Sequence, residues 1–156
     1  ALRHEGISGV HVGQDDLDVR VVRELLGPDA IIGLTTGTLE LVRAANEYRD
    51  VIDYIGCGPF RATPTKDSGR APIGLDGYPD LVAASKLPLV AIGDVTADDA
   101  CDLARAGVDG LAIVRGIMHA DDAKAYCERV IAEFERGAQA RAATSQPHAQ
   151  TQRKHP

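Results

Sequence analysis

Thr63, Thr65 and Lys66 put two hydroxyls and an ammonium within four residues. Such a set can hold phosphoryl oxygens by hydrogen bonds and a point charge. These residues close the stretch Gly56-Cys57-Gly58-Pro59-Phe60-Arg61-Ala62-Thr63-Pro64-Thr65-Lys66. The glycines at its start let a ligand approach the main chain with no Cβ in the way. Pro59 and Pro64 fix φ and stiffen the segment. Composition alone leaves a second reading open, that of a Pro/Gly-rich surface loop with an incidental lysine.

The elements that must position this stretch alternate. Val51 to Ile55 is an apolar run that reads as a buried strand leading into it. Upstream, Ser8 to Val12 and Ala30 to Leu34 read as strands; Leu17 to Leu26 and Leu39 to Tyr48 read as helices. Val19, Val22, Leu25 and Leu26 approximate a helical stripe, and Gly27-Pro28 stops it. Downstream, Asp76-Gly77 marks a turn and Tyr78 to Ser85 a short helix. Pro88 to Ile92 and Gly110 to Val114 complete the strands. Thr96 is placed as the N-cap of a helix reaching Ala106, with Asp98 and Asp99 in its first turn. Asp121 to Arg136 is the last helix, with Ala125, Val130, Ile131 and Phe134 among its apolar positions. The strands are short continuous apolar runs, as expected when both faces are covered. Their alternation with helices predicts an α/β fold with a parallel sheet of five βα units.

At 156 residues the chain fits one domain with a sizeable core. Trp is absent and aromatics are few, so Val, Ile, Leu and Ala must do the packing. A net charge of -6 argues against a general nucleic-acid surface. No apolar stretch reaches the roughly 20 residues of a membrane span. Cys57, Cys101 and Cys127 form no C-x-x-C pair and read as reduced thiols of a cytoplasmic protein. From Gly137 onward periodicity is lost, so residues 138–156 are expected to be a disordered polar tail behind a domain spanning 1–137.

Two motifs together carry a family resemblance. The G-C-G-P…T-P-T-K run and the preceding Gly9-Val10-His11-Val12-Gly13-Gln14-Asp15-Asp16 resemble, in order and spacing, the signatures of thiamine phosphate synthase. The similarity runs from about Ala1 to Gly137. Related thiazole tautomerases share the scaffold but usually lack the T-x-T-K run. The resemblance implies the later part of a (β/α)₈ barrel, a fold that usually takes about 200 residues or more. In the family three strands precede the G-V-H strand, carrying a Q-x-R-x-K motif and an Asn-Asp pair; neither occurs here. A five-strand arc leaves two edges unpaired. The chain is therefore expected to need a missing N-terminal segment or self-association, and its site taken alone to be incomplete. A non-catalytic piece completing a larger assembly is the alternative from another class.

The chemistry implied is the coupling of hydroxymethylpyrimidine diphosphate with thiazole phosphate to give thiamine phosphate and pyrophosphate, with Mg²⁺. Asp16 matches the family's metal ligand; its other reading is an N-cap for the helix near Leu17. Thr35 stands where the family usually has Ser and keeps a hydroxyl for diphosphate; its rival role is a cap for the next helix. Gly37 stands where many members have His. Thr63 and Thr65 match positions that hold the thiazole phosphate, and Lys66 matches the lysine that contacts the anionic substrates. Lys66 and Thr35 are thus the implied catalytic pair. The barrel's usual phosphate cradle follows strands seven and eight. Here those loops are Ile92-Gly93-Asp94-Val95 and Val114-Arg115-Gly116-Ile117, which makes Gly93, Asp94, Val114 and Arg115 substrate-binding candidates. Asp94 replaces a glycine whose amide faces phosphate, and Arg115 replaces a common Ser. The two are expected to pair, turning the carboxylate away from phosphate. Two separate surface charges are the plainer alternative. Cys57 is read as a small packing residue and His11 as a satisfied structural histidine.

Overall fold

The computed structural model describes Gly6, residues 8–62 and residues 69–145. Five strands run β1 (Gly9–Val12), β2 (Ile31–Thr36), β3 (Tyr54–Cys57), β4 (Leu89–Ile92) and β5 (Gly110–Ala112). All four pairings are parallel and the strands lie in sequence order. The helices are α1 (Val19–Leu26), α2 (Leu39–Ala45), α3 (Gly74–Ala84), α4 (Ala100–Ala106), the short α5 (Arg115–Met118) and α6 (Ala123–Ser145). The expected parallel α/β arc of five βα units is what the chain forms. Among the described residues no helix is long and apolar enough to cross a membrane.

Strand side chains alternate between two faces. One face carries Val10, Val12, Ile32, Leu34, Ile55, Cys57, Leu89, Ala91 and Leu111, which pack into the hydrophobic core with Val19, Val22, Val42, Tyr78, Leu81 and Leu103 from the helices. The residues between them form the other face. In register it reads His11–Gly33–Tyr54, then Thr35–Gly56–Val90–Gly110. Large side chains and glycines thus alternate across neighbouring strands. A Cβ on Gly33 would lie 2.2 Å from the Tyr54 ring and 2.4 Å from His11 Nδ1. Layers supplied by alternate strands are how a β-barrel interior is filled.

The amino ends of the strands are tied by one device used twice. Asp53 Oδ2 accepts the Ile32 amide at 2.7 Å, and Asp109 Oδ2 accepts the Leu89 amide at 2.8 Å. Each aspartate stands just ahead of a strand and bonds the start of its neighbour, which sets the register.

Several sequence boundaries move. Strand three begins at Tyr54, so Gly56 and Cys57 are inside it rather than in the loop, while Val51 and Ile52 close a turn onto the Tyr48 carbonyl. Asp76 and Gly77, expected in a turn, lie within α3. That helix starts early because Gly74, at φ 63°, takes a left-handed entry and donates its amide to the Phe60 carbonyl. On α1 Leu25 falls off the buried stripe and is exposed, as is Ile131 on α6. The largest difference is α6, which runs on through Ser145 past the expected boundary at Gly137. Gly137 is buried against α4: a Cβ there would stand 2.1 Å from the Cys101 carbonyl oxygen. The glycine serves as the close-packing point of two helices and does not end the second. The rest of the expected tail, 146–156, lies outside the described residues.

Candidate functional site

A cleft of about 500 Å³ opens at the carboxyl ends of the strands. Asp16, Thr35, Gly93, Asp94, Val114 and Arg115, the candidates from four separate strand ends, all line it. Thr63, Thr65 and Lys66 lie outside the described residues.

The β1 end is built from neutral hydrogen bonds. His11 projects from the open face above Gly33 and Gly56. Its Nδ1 is 3.1 Å from the Tyr54 hydroxyl and its Nε2 is 2.9 Å from Thr35 Oγ1. Burial against the sheet lowers the imidazole pKa from its ordinary 6.5 and raises that of the Tyr54 phenol. Gln14 Nε2 donates to the Thr35 carbonyl at 2.6 Å, fastening the loop after β1 to the end of β2. Asp16 Oδ2 accepts the Gly13 amide at 2.6 Å and holds the same loop closed.

The two caps weighed as alternative roles for Asp16 and Thr35 belong to neighbours. Asp18, not Asp16, caps α1, accepting from the Arg20 amide. Thr38, not Thr35, caps α2, accepting from the Leu41 amide. Neither Asp16 nor Thr35 is therefore taken up by a helix cap, although Asp16 Oδ2 is engaged by the Gly13 amide.

The β4–β5 end is held by charge. Asp94 sits at φ 59°, in the left-handed region that costs any residue but glycine, beside Gly93 at φ 97°. A Cβ on Gly93 would meet Pro59 Cα at 2.6 Å. The Arg115 guanidinium bonds the Asp94 carboxylate, so the expected pair forms. Arg61, which the sequence reading passed over, clamps the same turn. It donates to the Asp94 carbonyl at 2.9 Å and forks onto both oxygens of Asp99, with its Cζ 4.4 Å from the Phe60 ring centroid. Burial would raise the Asp99 pKa, but the Arg61 fork and the amide and hydroxyl of Thr96 outweigh it and hold the carboxyl below its ordinary 3.8. Arg70 lines the cleft between the two ends and donates to the Thr36 carbonyl. Gly37 makes room for it: a Cβ there would lie 3.4 Å from Arg70 Cδ and 2.3 Å from the Gly58 carbonyl oxygen. The Gly58–Pro59 peptide is cis.

Cys57 is fully buried, its Sγ 2.8 Å from Thr36 Oγ1, and burial pushes its pKa up to about 11. It packs and does not titrate near neutrality. His11 is satisfied as expected, but it is exposed rather than in the core. Both its nitrogens are partnered, as a structural histidine requires, yet it stands on the open face lining the cleft. The alternation Val10-His11-Val12 already carried that signal, because flanking valines on the core face put the histidine on the other.

Asp16 and its neighbour Asp15 both line the cleft wall, and carboxylate oxygens are the donors a hard cation would take. Among the described residues no group of three or more His, Cys, Asp or Glu is arranged to hold a metal ion alone. That donor set fits Mg²⁺, which keeps waters and takes one or two carboxylates together with phosphate oxygens.

A sequence model of thiamine monophosphate synthase matches residues 1–117. A thiamine-phosphate synthase of Corynebacterium jeikeium is 72% identical over 133 residues, covering 85% of this chain and 61% of that protein. Its counterpart in Corynebacterium efficiens is 65% identical over 141 residues, covering 89% of this chain and 65% of that protein. Among solved structures, a thiamine phosphate pyrophosphorylase of Pyrococcus furiosus superposes with a TM-score of 0.69 at 31% identity, over 82% of this chain and 59% of its own. The chain thus spans less than two thirds of the length of these relatives.

Proposed function

The chain belongs to the thiamine monophosphate synthase family, and we propose that it serves thiamine biosynthesis as a transferase, joining hydroxymethylpyrimidine diphosphate to thiazole phosphate. In this reaction the bond between the pyrimidine methylene carbon and diphosphate breaks, and pyrophosphate leaves with the electron pair. The thiazole nitrogen then supplies the pair for the new carbon–nitrogen bond. The protein's tasks are charge neutralisation and positioning.

The observation that carries this reading is the convergence of Asp16, Thr35, Gly93, Asp94 and Arg115 on one cleft at the strand ends. Thr35 offers its hydroxyl to the diphosphate. The amides of Gly93 and Asp94 offer donors to the thiazole phosphate, while Arg115 keeps the Asp94 carboxylate occupied. Thr63, Thr65 and Lys66 are assigned to the anionic substrates by their motif alone. Asp16, with Asp15 beside it, would hold Mg²⁺, which when bound neutralises the departing pyrophosphate.

Turnover is further proposed to need another surface over the open sheet face, supplied by an additional segment or a second copy. Support comes from the outer edges of β1 and β5, which pair with no other strand among the described residues. A cytoplasmic setting completes the reading, in keeping with three free thiols. The test is to incubate the chain with both substrates and Mg²⁺ and assay thiamine phosphate. Binding of inorganic pyrophosphate with little turnover is expected from the chain alone. Robust turnover would remove the need for a second surface. Failure to bind pyrophosphate with Mg²⁺ would remove the functional reading itself.

A further inference from the structure

Thr35 can serve an anion only if its hydroxyl proton points into the cleft, and nothing in the Thr side chain itself enforces that. Among the described residues its Oγ1 has one hydrogen-bonding side-chain neighbour, His11 Nε2 at 2.9 Å. If Nε2 is bare, the hydroxyl proton is drawn to it and away from the ligand. If Nε2 carries the proton, Oγ1 accepts and its own proton is freed. The choice is made at the other ring nitrogen, since a neutral imidazole carries one proton.

That nitrogen faces the Tyr54 hydroxyl at 3.1 Å. A phenol is a much stronger acid than an aliphatic alcohol and a correspondingly better donor, while the alcohol oxygen is the better acceptor. The favoured arrangement is Tyr54 O–H donating to Nδ1 and Nε2–H donating to Thr35 Oγ1. The ring cannot rotate away from it, because it lies over Gly33 and Gly56 and tilts against the Tyr54 ring with centroids 5.4 Å apart. Gln14 fixes the Thr35 carbonyl from the other side, so the residue's backbone is held as well.

We propose that His11 is a positioning residue which, as the Nε2–H tautomer selected by Tyr54, holds Thr35 with its hydroxyl proton directed into the cleft as a donor to an anionic oxygen. This rests on the reading above that Thr35 faces the diphosphate. Burial of the imidazole favours the neutral ring that the relay requires.

The test has two arms. In the unsubstituted chain, long-range ¹⁵N–¹H correlation of the imidazole at a pH where it is neutral is expected to show a protonated Nε2 and a bare Nδ1. The opposite tautomer overturns the proposal, and this measurement decides even where a variant fails to fold. In the second arm, inorganic pyrophosphate with Mg²⁺ is titrated calorimetrically into variants. Thr35→Val and His11→Leu are each expected to lose on the order of tenfold in affinity, the worth of one hydrogen bond to a charged group. Tyr54→Phe should lose less, because both tautomers then compete, and His11→Gln should recover part of the loss by returning an N–H donor. Affinity lost in Thr35→Val but intact in His11→Leu overturns the relay while leaving the functional reading standing. No pyrophosphate binding by the unsubstituted chain overturns both.

Discussion

The two ends of the cleft are held by different physics. At the β1–β3 end, His11, Tyr54, Thr35 and Gln14 form a chain of neutral hydrogen bonds. At the β4–β5 end, Arg61–Asp99 and Arg115–Asp94 are ion pairs around a left-handed turn. The neutral end works through fit: its side chains meet because glycines opposite them leave room. Neutral bonds are directional and lose their value with small displacements. The ionic end works through charge, which acts over a longer range but is screened in water. One cleft thereby offers oriented donors on one wall and charge on the other.

The sharpest break in this comparison is Asp16, which with Asp15 brings carboxylates to the otherwise neutral end. In a protein that turns over, Asp16→Ala is expected to cut Mg²⁺-dependent turnover about 10²–10³-fold, the scale of removing one preorganised electrostatic partner. Asp18→Ala, which removes the real α1 cap, should cost about 1 kcal/mol of stability and leave turnover intact. Equal kinetic effects from the two would reduce Asp16 to a loop tether.

Next comes the packing test. Gly33→Ala drives a Cβ into Tyr54 and His11 and is expected to cost about 1–3 kcal/mol in urea unfolding. At the ionic end Asp94→Gly should be nearly neutral or slightly stabilising. It loses a partly exposed pair worth about 0–1 kcal/mol, while relieving a left-handed φ that glycine adopts freely. If Gly33→Ala proves silent, fit is not what organises the neutral end.

A smaller effect separates pairing from direct contact. Arg115→Ala should weaken thiazole phosphate binding several-fold, on the scale of one modest hydrogen bond, because the freed Asp94 carboxylate then faces the anion. Adding Asp94→Gly should restore most of that affinity. A double variant that binds no better than Arg115→Ala would mean that Arg115 holds the phosphate itself.

The smallest expected effect is in acid. The folded pKa of His11 lies below its unfolded 6.5, so the unfolded chain binds more protons as pH falls. Its contribution is present above pH 6.5 and is lost as pH drops through the lowered folded value. Asp99 is also lowered, from 3.8, so its contribution survives until pH falls below that figure. Urea midpoints should therefore begin to decline below pH 6.5 through the neutral end, and His11→Gln should flatten that first decline while leaving the later one.

The alternation of strands and helices was legible in the sequence because hydrophobic periodicity is local and repeats in every unit. The signature residues Asp16, Thr35 and Gly93 were legible because motifs keep their spacing along the chain. Element ends were not. Asp16 and Asp18, or Thr35 and Thr38, are equally good caps by type, and only the docked helix selects one of each. Gly137 looked like a stop because its value lies in contact with Cys101, across the packed helices α4 and α6. Arg61 and Asp99 are 38 residues apart, so no window along the chain could pair them. Val10-His11-Val12 determined which face His11 takes, by the period of a strand. That Tyr54 and Thr35 would meet its two nitrogens was decided by the register of β1, β2 and β3, because strand pairing brings together residues that no local preference connects.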